Sequence, residues 1–472
     1  MLLPGEVSHS DPPPPAQRKC RPMNPSESFL LTDLYQLAMM EGYVEEGVTG
    51  TAVFEFFARK LPPQRGFLMA AGLEQALDFL QDLRVTPEEL DWLSASGKFS
   101  PALIDYLAEF RFTGDVHAMP EGTVFFPDEP IIRLTAPLPE AQYAETRLIN
   151  LLHFQSLIAA KAARIALAAQ GRLLVDFGLR RAHGAEAGLL AARASYIAGF
   201  AGTATVLAGR EFGVPTFGTM AHAFVQAFDD EAQAFEAFAR ARPEKLVLLI
   251  DTYDTEEGAR KVAALAPKLR AQGITLGGVR LDSGDLDALS RSVRRILDEA
   301  GLQEVAIFVS GGMDETKIWN LLQAGAPIGG FGVGTSLTTS SDLAALDCAY
   351  KLEEYAGIPR RKRSEGKTTW PGRKQVWRRI GADGRMAGDV LSTADDAQDG
   401  VPLIEPVMKD GKRLGPEPTL DEIRAHAAAQ LAALPEGLRR LDPAAAYPVE
   451  IGARLKALAA ETDRRIDHME EG

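Results

Sequence analysis

From Arg172 onward, short apolar runs alternate with stretches in which apolar residues recur every three or four positions. The runs Leu173–Phe177, Val206 with Val214–Phe217, Leu246–Ile250, Thr275–Leu281, Val305–Val309 and Ile328–Val333 read as strands. Ala185–Phe200, Glu256–Gln272 and Asp314–Ala324 between them carry the helical period. Strands spaced about 25 to 35 residues apart with helices between them call for a parallel sheet or barrel. The clearest unit is Ile274–Asp285. Its first half is small and apolar, as in a strand buried on both faces, and its second half turns into Arg280, Asp282, Ser283, Gly284 and Asp285. Leu286, Leu289, Val293, Ile296 and Leu297 then follow at helical spacing, with Gly301 where a C-cap belongs. Polar residues collect at the carboxyl end of nearly every strand, which favours a (β/α) barrel.

The flanking segments have a different rhythm. Residues 1–26 contain Pro12-Pro-Pro-Pro15 and few large apolar residues, a composition that reads as a mobile tail. Ser28–Gly42 reads as a first helix with Leu30, Leu31, Leu34, Leu37 and Ala38 as its stripe, and Thr32, Asp33 and Tyr35 on it. A strand over Thr51–Phe57, a turn at Leu61–Gly66 and a helix over Ala71–Leu83 follow, then short antiparallel strands within Phe110–Ala136. Glu140–Gln170 is Ala- and Leu-rich without proline, as a long helix requires. Val376–Leu391 around Ala382-Asp-Gly384 reads as a hairpin, and two Ala-rich helices from Asp421 flank Leu434-Pro-Glu-Gly437. These rhythms divide the chain into an α+β segment over 27–150, a barrel over 151–350 and a C-terminal part over 351–472.

Composition narrows the function. A formal net charge of -14 disfavours a general nucleic-acid or anionic membrane surface, so an anionic ligand needs a local cationic cluster. The basic run from Arg360-Arg-Lys-Arg363 to Arg379 alone suggests a nucleic-acid patch, against strands and loops near a phosphate site or in solvent. Cys20 and Cys348 make neither a disulfide framework nor a Cys-based metal site. No run of about 18 apolar residues and no signal-like start is found, so the cytoplasm is the expected compartment.

The strand ends carry the candidate chemistry. They read Asp176–His183 (with Phe177, Arg180 and Arg181), Gly218–His222 (with Thr219), Asp251–Asp254, Arg280–Asp285, Ser310-Gly311-Gly312 and Gly332–Ser336 (with Gly334 and Thr335). The last two are Gly-rich turns whose backbone N–H groups suit a phosphate, although tight turning alone also explains them. Asp251, Asp282 and Asp285 could hold ribose hydroxyls or a Mg²⁺ ion; capping by Ser283 or Asp285 with a structural ion pair is the competing account. The Arg180–Arg181 pair suits bidentate anion recognition, and Phe177 could stack on a flat ring or simply pack. A lone histidine such as His222 is more often structural than catalytic. Gly366-Lys367-Thr368 is no P-loop, because Arg361 stands at the first glycine position, and Gly330-x-Gly332 lacks a Rossmann third glycine at Thr335.

Taken together and in order, Leu31–Gln36, Phe177–Ala182, Gly218–His222, Gly278–Asp285, Gly332–Ser336 and Pro371–Lys374 resemble the nicotinate phosphoribosyltransferases, over about Asn24 to Arg464. The resemblance implies an α/β type II phosphoribosyltransferase: an irregular (β/α) barrel with an α+β domain built from both chain ends, usually a homodimer. It implies that nicotinate and phosphoribosyl pyrophosphate give nicotinate mononucleotide and pyrophosphate with coupled ATP hydrolysis, the first step of NAD salvage from nicotinate, with Mg²⁺ expected. By the same resemblance His222 is transiently phosphorylated. Tyr35 from the partner subunit and Phe177 flank the nicotinate ring, Thr219 and Arg280 contact it, and Thr335 contacts phosphate. Ala223 and Gly452 depart from residues common in the family. A nicotinamide- or quinolinate-specific enzyme and a non-catalytic nucleotide-sensing barrel are the competing readings.

Overall fold

The computed structural model describes residues 28–62, 64–442 and 446–470. The expected N-terminal tail, Cys20 and Pro63 of the first turn lie outside the described residues. The predicted alternation gives six parallel strands in the order Gly202–Thr203, Leu173–Asp176, Gly330–Val333, Ala306–Val309, Leu276–Leu281, Leu246–Leu249. The sheet curls into a half-barrel with Gly202–Thr203 and Leu246–Leu249 at its edges, extended by a parallel bridge from Thr203 to Thr216. Helices Ala185–Ile197, Thr255–Ala271, Leu286–Glu299 and Glu315–Gln323 cover its outer face.

Two expected elements change. Val206 does not start a strand; Val206–Phe212 is helical. The strand position goes to Gly202–Thr203, because a Cβ at Gly202 would come within 2.1 Å of the Pro215 carbonyl oxygen. The first helix runs over Leu34–Glu45 rather than from Ser28. Ser28 Oγ accepts from Leu30 N and donates to Glu89 Oε1 at 2.7 Å, holding the preceding residues in turns instead of a helix. On that helix Leu37 and Met40 are buried, whereas Leu34 and Tyr35 are exposed, together with Leu31 just before it. Much of the expected stripe therefore has no cover among the described residues.

A seven-stranded sheet gathers both ends of the sequence: Ile358–Pro359, Cys348–Tyr355, Thr51–Ala58, Pro130–Pro137, Asp115–Ala118, Glu405–Lys409, Lys412–Arg413. The hairpin expected near Asp383 pairs Lys374–Ile380 with Met386–Thr393, inside a second sheet with Val401–Pro402 and Val449–Ile451. Boundaries drawn at residues 150 and 350 each cut a hydrogen-bonded element, the Glu145–Ala168 helix and the Cys348–Tyr355 strand. Much of the basic run is paired with acids inside the chain. Arg361 pairs with Asp463, Arg363 with Asp467, Arg373 with Glu354, Lys374 with Glu55 and Arg378 with Asp389.

Glu145–Ala168 joins the two cores. Its Leu148, Leu152 and Leu157 pack with the seven-stranded sheet, and Ile158, Ala162 and Ile165 with the half-barrel. By length and composition it could cross a membrane, but 78% of its apolar window is buried here, as in a core helix.

A second link is polar. Arg193 on the Ala185–Ile197 helix donates to both oxygens of Glu121, at 2.8 and 2.6 Å. Glu121 Oε1 also accepts from Gly72 N and Leu73 N, where the Leu73–Asp82 helix begins. Both side chains are buried, so removing the acid strands a cation and two N–H groups. Glu121→Ala is expected to lose about 3–5 kcal/mol in a denaturant titration. A loss under about 1 kcal/mol would show that the pair does not hold these units together.

Candidate functional site

Arg280 ends the Leu276–Leu281 strand at the rim of the half-barrel, and its guanidinium is held from several sides. Nε donates to Ser310 Oγ at 2.9 Å, Nη1 to Thr219 Oγ1 at 2.6 Å and to the Met220 carbonyl at 3.2 Å, and Nη2 to Asp282 Oδ1 at 3.1 Å. Of the five donors a guanidinium carries, these contacts leave one free. Phe177 lies beside it, with the guanidinium carbon 5.5 Å from the ring centroid. Glycine makes room for that ring: a Cβ at Gly332 would lie 2.4 Å from Phe177 Cδ2.

Ser310 joins two charged groups, because its hydroxyl also donates to Asp282 Oδ1 at 2.5 Å. Asp251 Oδ2 accepts from Asp282 N at 2.8 Å and from Ser283 Oγ at 2.7 Å. Its other oxygen, Oδ1, is buried without a hydrogen-bond partner among the described residues. His222 opens the short His222–Gln226 helix, with Nδ1 3.2 Å from Thr252 Oγ1. Asp285 caps the Leu286–Glu299 helix by accepting from Ala288 N, so the capping account of that residue holds.

The Gly-rich turns combine two functions. Gly311 has φ +84°, and a Cβ there would come within 1.9 Å of the Asp282 carbonyl oxygen, so its glycine is required by close approach. The backbone N–H groups of Gly311, Gly312, Thr335 and Ser336 have no protein acceptor among the described residues, leaving donors open to an anion. Gly334 precedes Thr335 at the end of the Gly330–Val333 strand. Arg180 and Arg181, in the turn Leu179–Arg181, are exposed and make no ion pair or side-chain hydrogen bond among the described residues.

Below the rim, a cavity of about 510 Å³ opens along the concave face, lined by Leu173, Val175, Phe177, Thr219, Val247 and Phe308 among others. Gly277 also lines it and is exposed, so the strand expected to be buried on both faces is not. Tyr35 does not line it; its hydroxyl donates to Glu145 Oε2 at 3.3 Å. The structure therefore brings Phe177, Thr219, Arg280, Asp282, Ser310 and Asp251 together, with His222 close enough to Asp282 to act on its charge, and leaves Tyr35 apart within one chain. Sequence reasoning gave no site role to the Met220 carbonyl, Thr252 or Asp176 and weighed Ser283 only as a helix cap. Asp176, whose carboxyl burial pushes up, accepts from Gly178 N and Thr203 Oγ1 and so shapes the turn after Phe177. Its place at a strand end was the available signal.

Three family models match this chain. The nicotinate phosphoribosyltransferase N-terminal domain covers residues 30–153, the nicotinate phosphoribosyltransferase family model 173–358, and the C-terminal domain 396–459. The chain belongs to the nicotinate phosphoribosyltransferase family. It is 51% identical to a nicotinate phosphoribosyltransferase of Mycobacterium tuberculosis over 90% of this chain and 92% of that one. A Bacillus subtilis nicotinate phosphoribosyltransferase is 40% identical over 78% of this chain and 76% of its own. Among solved structures, human nicotinic acid phosphoribosyltransferase superimposes with a TM-score of 0.82 at 31% identity, covering 91% of this chain and 99% of that one. A Pyrococcus furiosus nicotinate-nucleotide pyrophosphorylase gives 0.72 at 26% identity, over 88% and 98%. The family's α/β architecture, with a parallel sheet curled into a half-barrel, is the one observed.

In this member of the nicotinate phosphoribosyltransferase family, electrostatics hold Asp282 ionised. Burial raises its pKa, but the Ser310 hydrogen bond, the Arg280 charge and His222 together bring it below the ordinary carboxylate value. A depressed folded-state pKa stabilises the fold above the unfolded pKa, about 3.9, and that stabilisation is lost as pH falls through the folded value. The stability gap between the parent and Asp282→Asn should stay constant from pH 7 to about 5 and close at lower pH. Denaturant midpoints measured from pH 7 to 3 check this, and a gap already closing at pH 6 contradicts it.

Proposed function

We propose that the site transfers a phosphoribosyl group from phosphoribosyl pyrophosphate to nicotinate, giving nicotinate mononucleotide and pyrophosphate at the entry to NAD salvage. The pyridine nitrogen attacks the anomeric ribose carbon as the bond from that carbon to the pyrophosphate oxygen breaks. Such a displacement depends on positioning and charge stabilisation more than on a covalent protein intermediate. The observation that carries the reading is Arg280, a cation with one free donor, set against the Phe177 ring and the Thr219 hydroxyl, both of which line the cavity. The pyridine ring stacks on Phe177, and its carboxylate meets the Arg280 charge and the Thr219 hydroxyl. A neutral carboxamide gains much less from that charge, which favours nicotinate over nicotinamide.

The phosphate groups fall to the open N–H groups of Gly311, Gly312, Thr335 and Ser336 and to Arg180 and Arg181. Among the described residues no cluster of three or more His, Cys, Asp or Glu could cage a metal. The orphaned Asp251 Oδ1 fits the other mode, in which Mg²⁺ is held by substrate phosphates and one or two carboxylates. Such an ion neutralises charge on the leaving pyrophosphate. Asp251 and Asp282 contribute anionic oxygens for it or for the ribose hydroxyls.

ATP coupling is assigned to His222. With Nδ1 at Thr252, Nε2 is free to attack the γ-phosphorus of ATP, and ADP leaves as the bridging P–O bond breaks. Water later hydrolyses the phosphohistidine. Its added negative charge draws on Arg180 and Arg181 and reorganises the phosphate site between substrate binding and product release. His222→Ala should lose acid-labile, base-stable ³²P labelling from γ-labelled ATP and the stimulation of product formation by ATP. Labelling equal to that of the parent rules the role out.

The exposed Leu31, Leu34 and Tyr35 face, and the absence of Tyr35 from its own chain's cavity, support a symmetric homodimer in which each Tyr35 completes the partner's ring site. Arg280→Leu alone should cost about 2–5 kcal/mol in nicotinate use. Mixed with Tyr35→Ala, it should regain activity, since some dimers then hold one intact composite site. Restoration absent from mixtures shown by native mass spectrometry to contain heterodimers contradicts the shared site.

A further inference from the structure

Behind the two Gly-rich turns lies an ion network whose charges do not cancel. Lys161 Nζ is 2.6 Å from Glu315 Oε2 and 2.8 Å from Asp342 Oδ1. Arg65 Nη2 is 3.2 Å from Asp342 Oδ2, and Arg164 Nε is 3.4 Å from Glu315 Oε1. Side-chain exposure is 2% for Lys161, 0% for Arg65, 8% for Arg164 and 6% for Glu315, while Asp342 reaches 24%. Arg65 also donates to Ser340 Oγ at 2.8 Å and to the Leu157 carbonyl at 3.0 Å, and Arg164 to the Leu441 carbonyl at 3.1 Å. Carbonyls satisfy donors but cancel no formal charge. Three cations thus meet two carboxylates, and no other acid pairs with them among the described residues.

Both acids lie just beyond the turns at the rim. Glu315 opens its helix three residues after Gly312, and Asp342 lies four residues after the Thr335–Thr338 turn of helix. Lys161 bridges them from the central helix. A buried excess charge is costly unless something compensates it. This chain carries 65 acids against 51 Lys and Arg, so a third acid was within easy reach of its composition.

We propose that the Arg65–Lys161–Arg164 trio supplies one uncancelled positive charge that the phosphate groups of the phosphoribosyl donor neutralise on binding, with Lys161 as the positioning residue that sets the two turns for that anion. This rests on the donor assigned above. The effect is on phosphate affinity; Lys161 itself touches neither the base nor the reacting carbon.

Lys161→Met leaves Arg65–Asp342 and Arg164–Glu315 as two matched pairs, so the fold should persist with a melting midpoint no lower than the parent's. The KM for phosphoribosyl pyrophosphate should rise about tenfold, with kcat and the KM for nicotinate within about twofold of the parent. Lys161→Arg should restore it. Lys161→Gln, which keeps a hydrogen-bond donor for both acids but loses the charge, should raise the same KM, and it carries the test if Lys161→Met does not fold. A parent enzyme that shows no saturation by phosphoribosyl pyrophosphate overturns the donor assignment itself. A saturable parent with unchanged KM in folded Lys161→Met or in folded Lys161→Gln overturns this proposal alone.

Discussion

The fixed guanidinium of Arg280 is the constraint on which the rest of the site depends. A side chain with several rotatable bonds recognises an anion well only when its ordering has been completed beforehand. Here Ser310, Thr219, the Met220 carbonyl and Asp282 complete it, from three strand ends or the loops beside them. Convergence of that kind is available only where parallel strands bring their carboxyl ends to one rim. Asp282 is in turn fixed by Ser310 and, through its N–H, by Asp251. The same hydrogen bonds keep Asp282 ionised, so the geometry of the clamp and its charge have one origin.

The curled sheet adds a second condition. A closed barrel fills its interior with layers of side chains, and nothing could then lie against the inner face. In this half-barrel, Gly332 lets the Phe177 ring lie flat across the strand, and the bulged Gly277 faces the cavity. Small residues in these strands thus act as space for a ring as much as for turning.

Much of this was legible in the sequence because it is local. Period, glycine spacing and the abrupt change from apolar to polar at Arg280 identify strand ends without knowledge of any partner. Partners were less legible. Ser310 reads as the first residue of a turn, and nothing near it in sequence announces a bridge between Arg280 and Asp282. Lys161 and Arg164 sit in a stretch whose Ala and Leu content reads only as helix, and their acids lie more than a hundred residues away. Val206 was misplaced because β-branching marks a fit to a sheet, whereas the close approach of Pro215 reserved the strand for Gly202. The leading helix began late because the Ser28 hydroxyl favours turns, a competition that the apolar stripe conceals.

The central claim is that the Arg280 charge selects a pyridine carboxylate for phosphoribosyl transfer. The most direct measurement supplies the purified protein with phosphoribosyl pyrophosphate and Mg²⁺, with nicotinate and nicotinamide in equal concentration, and quantifies both mononucleotides by mass. The account predicts nicotinate mononucleotide in large excess, formed faster with ATP than without. Equal yields of the two mononucleotides, or an excess of the nicotinamide product, would contradict it.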